Sequence, residues 1–222
     1  MRKQAALLFS VFLAIGSTAL QASAATITNS FDSDAQGWTG NPGEGSLAWV
    51  ASGGNLGGHI RITDIGGGIN NGFASGALAG ADFLGDLSAF NGGMLSLDMA
   101  TFAGGGGTFP SFGNLRVEGG GLVANVDVAA NAPIGGWQSY SATFDAATWG
   151  VSEADWTTIL SNVTLFGVPT DAFDGGDTIG IDNVTLASKQ MSPVPLPAGM
   201  LLLLSGLIGI GAIKRLGLKS DL

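Results

Sequence analysis

Residues 178–186 read Thr-Ile-Gly-Ile-Asp-Asn-Val-Thr-Leu, and the spacing of their apolar side chains decides the fold. Ile179 and Ile181 set one phase of a two-residue alternation, while Val184 and Leu186 fall in the other, so the phase slips at Asp182-Asn183. Side chains in a strand alternate between two faces, and a slip of one residue is what a β-bulge produces. A strand buried on both faces would accommodate the same residues.

Alternation of this kind recurs upstream. Leu95, Leu97 and Met99 oppose Ser96 and Asp98; Leu122, Ala124, Val126 and Val128 oppose Val123, Asn125 and Asp127; Tyr140, Ala142 and Phe144 oppose Ser139, Ser141 and Thr143. Further strands are expected at 25–30, 47–51, 59–63 and 163–168, with glycine clusters at 66–68, 104–107 and 119–121 as punctuation. One segment has helical spacing: Ser152 stands as N-cap with Asp155 at N3, and Trp156, Ile159, Leu160 and Val163 follow. Many short strands and one short helix predict an all-β, antiparallel two-sheet sandwich over residues 25–190.

The chain's 222 residues are 45% hydrophobic and 11% charged, and the apolar surplus sits at the two ends. Residues 1–24 have the order of a secretory signal. Arg2 and Lys3 precede the apolar stretch 5–14, which is too short for a bilayer of about 30 Å, and small residues at Ala22 and Ala24 place cleavage before Ala25.

At the other end, residues 191–222 hold Val194-Pro195-Leu196-Pro197-Ala198-Gly199, an apolar run to Ile213, and then Lys214, Arg215 and Lys219. The prolines keep the motif extended. The run predicts a C-terminal transmembrane helix over about 197–213, near the lower length limit for a span. The basic residues after it are expected to stay cytoplasmic, which leaves 25–190 outside.

This three-part tail resembles the PEP-CTERM class of sorting signals in its VPLPA variant. The resemblance implies recognition by an exosortase-type membrane processing enzyme at the proline motif, with delivery to the cell surface or extracellular matrix.

Between the two ends, three basic residues (Arg61, Arg116 and Lys189) stand against sixteen acidic ones, leaving −13. Nucleic acid and anionic membrane surfaces are attracted by clustered Lys and Arg, so both are excluded as partners of this region. The chain has no cysteine and one histidine, which excludes thiol catalysis, disulfides and multi-histidine metal sites.

Phe31-Asp32-Ser33-Asp34-Ala35-Gln36-Gly37-Trp38, Leu47-Ala48-Trp49, the glycine-rich 53–60 and the closing 180–186 together resemble a laminin-B (laminin IV) jelly roll, related in shape to galactose-binding-like and carbohydrate-binding sandwiches. The resemblance implies a jelly roll that binds or spaces rather than catalyses. It also implies a structural calcium ion where the first and last strands meet, with Asp182 the first candidate ligand and Asp32 the second; oxygen ligands suit this hard cation. Of five tryptophans, Trp156 and Trp38 read as core. Trp137, after Gly135-Gly136, and Trp149, before Gly150, are the candidates for an exposed sugar-stacking ring. His59 reads as a structural residue. No nucleophile elbow, phosphate loop or dinucleotide fingerprint occurs, and no spacing singles out a carboxylate pair.

The function expected is therefore that of an exported surface or matrix protein with a non-catalytic domain for polysaccharide or another surface component. A self-associating coat or spacer is the alternative, and a glycoside-active enzyme a more distant one.

Overall fold

The computed structural model describes residues 24–41, 45–64, 76–104, 107 and 112–190. Ala22, the sorting motif 194–199, the expected helix 197–213 and Lys214, Arg215 and Lys219 lie outside these residues. Among the described residues, no helix is long and apolar enough to cross a membrane.

Among the described residues, eleven strands form two antiparallel sheets. The winding is clearest in four nested pairs. Strands β7 (Asn114–Gly119) and β8 (Leu122–Asp127) make the innermost hairpin. Around it β6 (Gly93–Ala103) pairs with β9 (Gln138–Phe144), β5 (Gly76–Leu78) with β10 (Val163–Pro169), and β4 (His59–Asp64) with β11 (Thr178–Ala187). A long hairpin rolled up in this way is a jelly roll. The first sheet has the order β3-β4-β11-β6-β9, with β3 at Gly45–Val50 and β1 (Thr26–Asn29) beside β11; the second has the order β2-β5-β10-β7-β8, with β2 at Thr39–Gly40.

The bulge expected in the closing strand is present. Along β11 against β6, Asp182 pairs with Asp98 and Thr185 with Ser96, so three steps on one strand match two on the other. Asn183 absorbs the extra residue at φ +50°, a left-handed geometry that asparagine tolerates better than most residues. As a result Ile179, Ile181, Val184 and Leu186 are all fully buried. The same point is where one edge of β11 passes from β4 (Thr178–Ile181) to β1 (Val184–Ala187).

The core holds two aromatic clusters. Trp38 meets Phe31, Phe83 and Phe166 edge-on at 5.7, 5.9 and 6.2 Å between ring centroids. Phe144, Trp149 and Trp156 pack at 5.0–5.6 Å. The helix α1 (Glu153–Ser161) buries Trp156, Ile159 and Leu160 beside β7 and β8, and Ser152 caps it by accepting the Asp155 N–H at 3.1 Å. Each buried indole N–H has an acceptor: Asn29 Oδ1 for Trp38, Thr143 O for Trp149 and Asn91 Oδ1 for Trp156.

Removing Trp156 (W156A) is expected to cost about 3–5 kcal/mol of unfolding free energy, whereas Val123→Ala on the exposed side of β8 should stay within about 0.5 kcal/mol. Urea denaturation of the two variants checks the assignment of core.

Candidate functional site

The outer face of the first sheet carries the residues of interest. Strand pairing sets Arg61, Gly180 and Ala100 in one row across β4, β11 and β6, with His59 and Phe102 two residues along on β4 and β6. Gly180 leaves this row bare at its centre. A Cβ there would lie 2.5 Å from Phe102 Cε2, 2.8 Å from Trp137 Cη2 and 3.3 Å from His59 Cδ2, so three rings converge on the missing side chain.

The rings are ordered. His59 stacks on Phe102 with centroids 5.1 Å apart and planes 12° from parallel, and Trp137 meets both edge-on at 5.3 and 5.9 Å. Arg61 Cζ lies 3.9 Å from the Phe102 centroid, and Arg61 Nη2 is 3.3 Å from His59 Nε2. That short separation puts the guanidinium and the imidazole on the same face of Phe102, which still exposes 42% of its surface. The Trp137 indole donates to Gly53 O at 3.0 Å, joining the approach to β9 to the loop between β3 and β4.

Beside the rings lies a polar network. The bulge brings Asp182 and Asn183 to the outer face, next to Asp98 on β6. Asp182 accepts the Asn55 and Asn183 backbone N–H groups, each at 2.7 Å. Asp98 accepts the side-chain amides of Asn55 and Asn183 at 2.9 Å and the Ser139 hydroxyl at 2.5 Å. Asn183 also donates to Asn55 O at 3.0 Å. Asn55 is thereby fastened to the sheet, and the next residue, Leu56, is held at φ +79° with 89% of its surface exposed. Such a conformation in a non-glycine residue persists only where its surroundings enforce it.

Trp137, expected as an exposed stacking ring, is half-buried, its ring packed over Gly180 against His59 and Phe102. Trp149, the other ring expected to be exposed, is 1% exposed, because the turn 145–150 folds it back onto Phe144 and Trp156. It is a core residue. Its position in a turn gave no periodicity from which burial could be read. Phe102 was missed although the signal existed, since extending the Ser96, Asp98 phase along β6 leads to it. Trp38, Trp156 and His59 are buried as expected.

Of the two candidate metal ligands, Asp32 lies near enough to Asp182 to push its carboxyl upward. Asp182 is fully buried in the network above, while Asp32 lines an open cleft of about 540 Å³ with Ser30, Ser33, Asp34, Gln36 and Asp82. Among the described residues, the carboxylates that do converge are Asp64, Asp171 and Asp177, each with an oxygen within 4.8 Å of the others. Asp177 also accepts the backbone N–H groups of Ala172 at 2.7 Å and Phe173 at 3.1 Å. Three carboxylates are hard oxygen donors of the kind that calcium takes, with the rest of a six- to eight-fold shell left to carbonyls or water.

Burial raises the Asp177 carboxyl to about 6, with further upward pushes from Asp64 and Asp171 against the pull of its two backbone N–H donors. Burial likewise raises Asp182 to about 6, with Asp98 and Asp32 adding to it and its two backbone donors opposing. Burial and the adjacent Arg61 lower the His59 pKa and favour the neutral ring. Because arginine only donates, His59 Nε2 is the acceptor and Nδ1 carries the proton.

No protein-family model and no curated protein matches the chain. Among solved structures, it is similar to the family 11 carbohydrate-binding module of a cellulosomal cellulase of Clostridium thermocellum, with 12% identity and a TM-score of 0.49 over 77% of this chain and 99% of that one. It is also similar to a xylan-binding domain of carbohydrate-binding module family 22, with 13% identity and a TM-score of 0.47 over 76% and 96%. The L4b domain of human laminin alpha-2 matches with 13% identity and a TM-score of 0.42 over 58% and 80%.

The two raised carboxyls have folded values of about 6 against the ordinary 3.8, so they take up protons in the native state between these limits and their contribution to stability rises as the pH falls through that window. The lowered His59 works in the opposite sense below its ordinary 6.5. The thermal midpoint of the wild-type chain relative to Asp177→Asn, followed by calorimetry without divalent cations, is therefore expected to be higher at about pH 5 than at about pH 7.5.

Proposed function

We propose that residues 25–190 form a non-catalytic domain that binds polysaccharide outside the cytoplasm, on the outer face of the six-stranded sheet. The observation that carries this reading is Phe102: an aromatic ring backed on one side by His59 and Arg61 and 42% exposed, beside a network of carboxylate, amide and hydroxyl groups. A pyranose presents a C–H face that an aromatic ring accepts and a rim of hydroxyls that polar groups fix, and this face offers both. Asn55, Asn183 and Ser139 are the polar groups at hand.

The same carboxylates argue against glycoside catalysis. Asp98 and Asp182 sit opposite one another on neighbouring strands, 7% and 0% exposed, and are held as hydrogen-bond acceptors rather than facing each other across a cleft. In this reading a structural calcium belongs at Asp64, Asp171 and Asp177 rather than at Asp182 and Asp32. The terminal sequences supply the address: export through residues 1–24 with cleavage before Ala25, and retention at the membrane by 191–222 until an exosortase-type enzyme acts at Val194–Gly199.

Isothermal titration of the full-length chain against glucan, xylan and polyuronate oligosaccharides tests the reading. Binding to at least one is expected, weakened about tenfold or more by Phe102→Ala or Trp137→Ala, in line with the burial energy of one large ring. Absence of binding across the panel would overturn it.

A further inference from the structure

We infer that the saccharide taken by this face is acidic, a uronic acid whose carboxylate is received by Arg61 with His59 beside it. The inference rests on the reading of the face as a saccharide site and names the ligand's charge.

Arg61 is one of three basic residues among residues 25–190, and the other two are placed differently. Arg116 is paired with Glu118 through Nη2 at 2.6 Å, and Lys189 lies at the exposed end of the last strand. Among the described residues, Arg61 has no carboxylate partner. The two acids nearest on the outer face are already committed, Asp98 to Asn55, Asn183 and Ser139, and Asp182 to two backbone N–H groups. The guanidinium is instead partly covered by Phe102, and among the described residues it bonds a neutral imidazole.

Two donor atoms are left without acceptors here, Arg61 Nε and His59 Nδ1, both buried. A buried donor without an acceptor costs about 1–3 kcal/mol, more on a charged group. What the site lacks is therefore acceptor oxygen with negative charge. A carboxylate supplies two such oxygens in the planar geometry that a guanidinium matches, on a sugar ring that Phe102 can support.

Access is provided by Trp137. It follows Gly135 and Gly136, whose φ values of +84° and +124° are open to glycine, and an added Cβ at either would meet nothing within 4 Å. The Nε1 bond to Gly53 O is the hydrogen bond that fastens the indole, so swinging it aside would open the edge of His59. The region's charge of −13 opposes a polyanion at a distance, but that repulsion is screened beyond about 8 Å at physiological ionic strength, whereas Arg61 acts in contact.

The test is calorimetric titration of the full-length chain with oligogalacturonate, its methyl ester and a neutral glucan oligosaccharide. Oligogalacturonate should bind at least about tenfold more tightly than its ester, and Arg61→Gln should abolish that difference. Equal binding of acid and ester, or tighter binding of the neutral glucan, overturns the inference and leaves the saccharide reading standing. Binding of none of the three, nor of xylan, removes both. The wild-type comparison of acid with ester decides the matter even if the variant does not fold.

Discussion

One extra residue in β11 organises this molecule. Without the bulge, a strand that buries Ile179 and Ile181 would turn Val184 and Leu186 to solvent; with it, all four face the core. The cost is an asparagine in left-handed geometry and an aspartate, fully buried, on the opposite face. That aspartate is useful there. Asp182 takes the backbone of Asn55, Asp98 takes its side chain, and the loop between β3 and β4 is drawn down onto the sheet. Gly53, two residues before Asn55, then offers the carbonyl that fastens Trp137. The feature that completes the core also builds the wall of the outer face.

The five tryptophans show how the chain divides hydrophobic work. Trp38, Trp149 and Trp156 are core, each with its indole N–H bonded internally. Trp49 bonds Phe31 O from an edge strand and is 38% exposed, and Trp137 stands over Gly180 on the outer face. A sheet face turned to water needs no aromatic cluster for stability. Here three rings and an arginine lean toward a position that has no side chain, leaving one ring open and two donor atoms without acceptors. A core does not tolerate that arrangement.

Much of the fold was legible because period-two alternation is local. The bulge at Asp182-Asn183, the helix with its Ser152 cap and most strands were readable from apolar spacing. Strand β5 was not: Gly76-Ala77-Leu78 is too short to alternate, and it is a strand because β10 and β2 pair with it. The sequence Asn114–Gly119 does alternate, with Leu115 and Val117 buried, but it is hemmed by glycine and carries Arg116 and Glu118 outward, and it was not among the expected strands. Of the rings on the outer face, the sequence singled out only Trp137. Asn55, Arg61, Asp98 and Phe102 come from three separate segments, and only the order β4-β11-β6 makes them neighbours. Of the three converging carboxylates, Asp171 and Asp177 stand close in sequence, but Asp64 joins them from β4, which no linear spacing discloses.

The central claim is that ligand meets this chain on the outer face of the six-stranded sheet, and the indole N–H groups are five separate reporters of it. A ¹H–¹⁵N spectrum of the full-length chain, recorded while a bound oligosaccharide is titrated in, should shift the Trp137 indole resonance and leave those of Trp38, Trp149 and Trp156 in place. Movement of a core indole with Trp137 unmoved would contradict the account.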